Sequence, residues 1–256
     1  MKTNLQPLKI SPNGRFLTCQ DGSPFFWLGD TAWELFHRLS LKETRFYFQN
    51  RIDKGFTIIQ AVILAELDGL TTPNAAGHLP LKDLDPCQPN EAYFKHVDEV
   101  VAMAAEMGLY LALLPTWGDK YNKKWGTGPE VFTPENARTY GEFLAKRFAK
   151  YPHLVWVMGG DRAPEDKEDQ QIIEQMALGI STFDKTSLIT YHPGGGTIAS
   201  DLFPNASWLQ IDMFQSRHQK QFREYRFVNK ARSRKPIRPV INGEPGYENI
   251  PNLLNK

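Results

Sequence analysis

The sequence predicts an α/β protein: a (β/α)8 TIM barrel behind a small N-terminal β-hairpin cap, without its eighth βα unit. Three observations carry that expectation. A short apolar run, a polar loop and an amphipathic helix recur in that order along most of the chain, which is the pattern of βα units. Several of the apolar runs are continuous rather than alternating, as strands buried on both faces of a parallel sheet must be. Size agrees as well, because 256 residues with 41% hydrophobic and 23% charged side chains suit one barrel of about 250 residues. That composition excludes a disordered or collagen-like chain, and 30 basic against 29 acidic residues, a net charge of +1, excludes a polyelectrolyte.

Pro12-Asn13-Gly14 and Asp21-Gly22-Ser23-Pro24 are turn signals, so residues 8–24 read as a hairpin and 1–24 as a cap on the barrel. The barrel, 25–256, opens with a strand over 25–28 and a helix over 41–54 closed by Gly55. Ile58, Ile59, Ala61, Val62, Ile63 and Leu64 form the second strand, 56–64. A loop rich in Pro and Gly spans 65–90, and loops of that length are usually functional. Tyr93, Val97, Val100, Val101, Ala104 and Met107 recur at helical spacing before Gly108, leading to a strand over 110–114. Thr133-Pro134 has the order of an N-cap and first helical residue, and its helix carries Ala137, Tyr140, Phe143, Leu144 and Phe148 on one face. Strands over 154–158, 188–191, 208–211 and 239–242 come next, with helices over 168–183 and 219–235 between them. This leaves the length one βα unit short and places the eighth strand beyond residue 256. A doubly wound seven-stranded sheet is the alternative architecture.

Barrel enzymes place their sites at the C-terminal ends of the strands, and the polar residues collect there. Asp30 and Trp33 follow the first strand and Trp117 the third. Asp161 follows the fourth, Tyr191 and His192 end the fifth, Asp212 and Gln215 follow the sixth, and Asn242 with Glu244 end the seventh. Carboxylates beside aromatic rings suit an oligo- or polysaccharide, since sugar ring faces stack on Trp or Tyr and two carboxyls can flank the bond to be broken. Asp161 and Glu244 are the best placed pair. A separation near 5 Å would make one a nucleophile, and one of about 6.5 Å or more would leave room for water and imply inversion. The competing readings are structural: Asp161 as a helix N-cap, Glu244 as a turn residue, Asp30 as a cap, and the two tryptophans and His192 as packing.

Four segments, Trp27-Leu28-Gly29-Asp30-Thr31-Ala32-Trp33, Val155-Trp156-Val157-Met158-Gly159-Gly160-Asp161, Tyr191-His192-Pro193-Gly194 and Asn242-Gly243-Glu244-Pro245, resemble in order those of the apiosidase-like catalytic domain. That family comprises glycoside hydrolase family 140 and its uncharacterised relatives. The resemblance implies a (β/α)8 barrel of the large retaining glycosidase clan, with Asp161 as acid/base and Glu244 as nucleophile. It also implies hydrolysis of plant cell-wall pectic polysaccharide side chains at apiose linkages. Most of the wider clan has Asn-Glu where this chain has Gly160-Asp161. The acid is therefore one methylene shorter, and the asparagine's hold on the sugar 2-hydroxyl passes to His192, Asn242 or a residue of the sixth strand. The rival expectation is a non-catalytic carbohydrate-binding barrel or an inactive fragment.

Other chemistries fit less well. Gly194-Gly195-Gly196-Thr197-Ile198-Ala199 with Asp212 matches a dinucleotide fingerprint, but it follows the fifth strand and no long helix can start there. Nine basic residues against Glu224 between Arg217 and Arg238 recur at helical spacing and read as the solvated face of an outer helix; no nucleic-acid partner is expected. The six histidines form no metal-binding pattern, so neither metal nor cofactor is expected. Cys19 and Cys87 allow at most one bridge. Without an apolar span or signal peptide, no membrane association is expected and the chain reads as cytoplasmic, or as secreted or periplasmic should a leader be missing.

Overall fold

A run such as Ile58–Leu64 offers water no polar face, so both its sides must be covered, and the fold is arranged around that need. The structure, a computed structural model, describes residues 5–216 and 223–247. An antiparallel sheet of β1 (Leu8–Ile10), β2 (Leu17–Cys19) and β3 (Pro24–Phe25) comes first. A parallel sheet follows, in the order β4 (Gly29–Thr31), β5 (Ile58–Leu64), β6 (Tyr110–Thr116), β7 (Leu154–Gly159) and β8 (Leu188–His192). A second parallel pair joins β9 (Asp212–Gln215) and β10 (Val240–Glu244). β9 adjoins β8 through Gln210 N–H to the Ile189 carbonyl, 2.9 Å, and the Thr190 hydroxyl to the Ile211 carbonyl, 2.8 Å. The described strands do not close a ring: Gly29, Asp30 and Thr31 of β4 and Asn242 and Gly243 of β10 line one open cleft of about 680 Å³.

The buried runs sort into two cores by the two-residue period of a strand. Ile58, Val62, Tyr110, Ala112, Leu114, Val155, Val157, Leu188, Ile211 and Met213 share an interior cluster with Leu8 and Leu17 of the N-terminal sheet. That sheet thus covers the end of the barrel at which β5, β6 and β8 begin, and the Tyr110 hydroxyl donates to the Gln6 carbonyl there, 2.8 Å. Ile59, Ile63, Leu111, Leu113, Trp156, Met158 and Ile189 face the other way and pack on the helices. Gln60 is a polar residue on the inner face: 2% exposed, it donates across the barrel to the Gly243 carbonyl of β10, 2.6 Å.

Local chemistry sets the helix ends. Helix α1 (Leu35–Arg38) is a single turn, and α2 (Leu41–Asp53) begins in a reciprocal capping box between Ser40 and Glu43. Asn90 caps α3 (Glu91–Met107), which ends at Gly108 with φ 85°. Thr133 caps α4 (Pro134–Phe148), and Asp166 caps α5 (Lys167–Phe183). Helix α6 (Ala199–Leu202) is short, as expected after the glycine run, and α7 (Glu224–Arg232) buries only Ala231. The basic helix expected over 219–235 lies partly outside the described residues, Lys220 and Phe222 included. Cys19 and Cys87 are both free thiols.

Two strands differ from the sequence expectation. Phe25 pairs with Leu17 and completes the N-terminal sheet, so the first barrel strand is the polar segment Gly29–Thr31 rather than 25–28. Phe26, 75% exposed, belongs to neither. The apolar segment 208–211 is not the sixth strand either: the Trp208 ring packs on Phe203, with centroids 5.1 Å apart, and the ladder with β10 begins at Asp212. An apolar run fixes burial but not which of its residues pair.

Helices α4 and α5 touch backbone to backbone. A Cβ on Gly179 would lie 2.3 Å from the Arg138 carbonyl oxygen, and one on Gly141 2.4 Å from that of Met176. Gly179→Ala should therefore destabilise the fold by about 1–3 kcal/mol as the helices are forced apart. A urea midpoint equal to that of the parent protein would contradict this close approach.

Candidate active site

The mouth of the barrel is organised by an unusual turn at the end of β7. Gly159, Gly160 and Asp161 have φ of 93°, 115° and 58°, three consecutive residues in a region that side chains resist. The two glycines are also required by space. A Cβ on Gly159 would lie 2.6 Å from the His192 carbonyl, and one on Gly160 2.6 Å from the Gly118 nitrogen. The turn is pinned by Gly160 N–H to the His192 carbonyl, 3.2 Å, and Asp161 N–H to His192 Nδ1, 3.3 Å. Arg162, 1% exposed, donates to the carbonyls of Asp161 at 3.0 Å, Asn122 at 3.0 Å and Lys123 at 3.3 Å. Helix α5 is capped by Asp166, so Asp161 has no capping duty.

Glu244 is the last residue of β10 and 5% exposed. Donors converge on its carboxylate from three places. Gln215 Nε2 at the end of β9 donates to Oε2, 2.6 Å, and the Tyr247 hydroxyl donates to Oε1. His192 Nε2 lies 3.2 Å from Oε2 but out of line for a hydrogen bond, so that contact is electrostatic. Because His192 Nδ1 accepts from Asp161 N–H, the neutral ring carries its proton on Nε2, toward Glu244. Gln215 also favours the charged form of Asp161, the weakest of the influences on that carboxyl.

Aromatic rings wall this pair. Trp33 and Trp117 lie 5.1 Å apart, and Trp33 stands edge-on to His192 at 5.4 Å. Trp33 Nε1 donates to the Tyr247 hydroxyl, 2.9 Å, continuing the chain that ends on Glu244. Burial first, and the charge of Glu244 second, keep the Tyr247 phenol protonated. Burial also raises the Asp161 carboxyl above the usual carboxylate range, with His192 opposing and Glu244 reinforcing. Glu66, just past the end of β5, is pushed up to about 7 by burial and by the charges of Glu34, Asp119, Glu244 and Asp161. It is a third acid at the same mouth.

The structure gathers Asp161, Glu244, Trp33, Trp117, His192 and Gln215 at one place. Asn242 lines the neighbouring cleft, with Nδ2 on the Ser216 hydroxyl at 3.1 Å. Asp30 neither caps α1, whose N-cap is Glu34, nor joins the carboxylate pair. It accepts from Tyr47 and Arg51 of α2, each 2.8 Å, on the edge of that cleft. Two expected contacts are not brought to the mouth. Tyr191 is fully buried on the helix-facing side, packs on Phe203 at 4.8 Å and donates to the Arg162 carbonyl. Asp212 begins β9 instead of following a strand and accepts from the Ser200 N–H, 2.9 Å, and hydroxyl, 2.6 Å. The strand lies four residues later than expected, which carries Asp212 away from the mouth and leaves Gln215 at its end. Tyr247, Arg162 and Glu66 were missed by sequence reasoning. Only Tyr247 had a visible signal, as a tyrosine three residues beyond the candidate nucleophile.

Two raised carboxyls have a measurable consequence. Each binds its proton more tightly folded than unfolded, so stability falls as pH rises from the ordinary carboxylate range through the folded value. Asp161→Asn and Glu66→Gln should melt higher than the parent at pH 8, with the gap closing toward about pH 3.5. Asn also tolerates the left-handed backbone of position 161. A Tm series without a gap at pH 8, or with one that persists in acid, contradicts the burial argument.

Proteins of similar overall fold include glycoside hydrolases. A glycoside hydrolase family 5 protein from Bacteroides vulgatus superposes with TM-score 0.86 at 29% identity, over 98% of this chain and 56% of that one. A structure described as a glycoside hydrolase superposes with TM-score 0.85 at 31% identity, over 98% and 59%. The chain therefore spans less than two thirds of the length of these relatives. The catalytic domain of a Thermobifida fusca endoglucanase, solved in complex with cellotetraose, shares the barrel fold at 15% identity and TM-score 0.58, over 93% and 73%. No curated protein matches. Residues 11–256 match the family described as apiosidase-like, catalytic domain, and the chain belongs to that family.

Proposed function

We propose that this chain is the catalytic domain of a retaining glycoside hydrolase that cleaves pectic side chains at apiose linkages. The single observation that carries the reading is the His192 ring, whose Nδ1 accepts from the Asp161 N–H at 3.3 Å while its Nε2 lies 3.2 Å from Glu244 Oε2. One ring set against the segments of both carboxyls suits an acid and a nucleophile that act on the same bond. The apiose specificity is suggested by the family to which residues 11–256 belong.

The chemistry divides between the two carboxyls. Glu244, with Tyr247 and Gln215 each donating to one of its oxygens, attacks the anomeric carbon. The bond to the leaving oxygen breaks as Asp161 gives that oxygen its proton. Water then attacks the glycosyl ester, Asp161 takes the water's proton, and Glu244 leaves as a carboxylate. The environments suit these roles. Burial and the Glu244 charge favour the protonated form of Asp161, as a general acid requires. The fixed hydrogen bonds on Glu244 restrain its rotation.

Hydrolysis of pectic side-chain oligosaccharides by the parent protein, Asp161→Asn and Glu244→Gln tests the assignment. Each variant should lose about 10³-fold or more in kcat. Asp161→Asn should recover on an aryl glycoside whose leaving group needs no proton, and Glu244→Gln should not. Full activity in either variant on the natural linkage would sink the proposed pair. Activity of the parent should fall as pH rises through the raised Asp161 value.

A further inference from the structure

Trp125 is the one exposed aromatic side chain, among the described residues, on a loop that follows a strand of the parallel sheet, with 69% of its surface open to water. It sits in the loop after β6, on the rim beside Asp161. One face of the indole lies against the guanidinium of Arg162, whose Cζ is 4.0 Å from the ring centroid. The same guanidinium holds the Asp161 carbonyl at 3.0 Å. One buried side chain therefore separates the exposed ring from the backbone of the candidate acid.

The loop that presents this ring is held on several sides. Asp119 Oδ2 accepts from Thr127 N–H at 3.0 Å and Gly128 N–H at 2.9 Å. Lys120, fully buried, donates to the carbonyls of Gly128 at 2.8 Å and Leu67 at 3.0 Å. Gly126 approaches so closely that a Cβ would fall 2.2 Å from the Asp119 Cβ. An indole kept open to water on a braced loop is preorganised for a flat apolar face, and the CH face of a sugar ring is such a surface.

We propose that Trp125 is a stacking platform for a sugar ring on the leaving-group side of the scissile bond. The side follows from the acid: Asp161 protonates the leaving oxygen, so the rim flanking Asp161 receives what departs. This rests on the glycosidase reading above. It further specifies that the leaving group is itself a saccharide rather than a small alcohol.

Kinetics of Trp125→Ala and Trp125→Phe test the platform on pectic side-chain oligosaccharides and on methyl glycosides of the same terminal sugar. Trp125→Ala should raise KM on the oligosaccharides about 2- to 12-fold, the range of a single aromatic contact, with the loss falling on KM rather than kcat. Trp125→Phe should restore most of it, and the methyl glycosides should show no penalty. If the ring only shields Arg162, Trp125→Ala instead lowers kcat equally on both substrates, which overturns the proposal. An unchanged KM on oligosaccharides that the parent protein cleaves overturns it too, while leaving the glycosidase reading intact. If the parent protein cleaves none of them, both fall together.

Discussion

The arrangement at the mouth depends on one buried cation. Arg162 is 1% exposed, and a guanidinium taken out of water must find partners for its donors or lose several kcal/mol. Its partners are the carbonyls of Asp161, Asn122 and Lys123 together with the face of Trp125. Two of those carbonyls belong to the loop after β6 and one to the turn after β7. The cation cannot be satisfied unless both segments are in place. Its own carbonyl accepts from Tyr191 of β8, so three neighbouring strand ends are tied through a single residue. The backbone conformation of Asp161, with φ of 58°, persists because these contacts over-determine it.

Glu244 is the complementary centre. It receives Gln215 from β9 and Tyr247 from its own segment, and it lies beside His192 of β8. His192 serves both halves, accepting from the Asp161 backbone while its other ring nitrogen faces Glu244. Acid and carboxylate are thus coupled through the His192 ring. Burial raises the Asp161 and Glu66 carboxyls, so the mouth gives up stability at neutral pH. That is the usual trade between fold stability and a site prepared for chemistry.

Much of this was legible in the sequence. Continuous apolar runs located β5, β6, β7 and β8 because burial on both faces leaves a one-dimensional trace. Ser40, Thr133 and Gly108 marked helix ends because capping is a local interaction. The gathering of Asp161, His192, Gln215 and Glu244 followed from strand-end positions. What failed was register. The run 208–211 was apolar because Trp208 packs on Phe203, while the ladder with β10 begins at Asp212. The four-residue shift took Asp212 from the mouth and left Gln215 there. Tyr191 was misplaced for a related reason: alternate residues of a fully buried strand face opposite cores, and periodicity cannot name the face when both are apolar.

By itself the sequence determined the α/β class, the order of the elements and the strand ends that carry carboxylates, since each depends on composition and on neighbours within a few residues. Only the tertiary structure decided which groups meet. The bridge of Gln215 to Glu244 joins residues 29 apart, and the bond from Trp33 to Tyr247 joins residues 214 apart. The role of Arg162 was equally hidden, because an arginine in a sequence reads as a surface charge until two carbonyls and a ring from a distant loop close over it. Long-range contacts of this kind leave no local periodicity. They are set by the packing of whole strands and loops, and that packing brings the two candidate carboxyls to one mouth beside a shared imidazole.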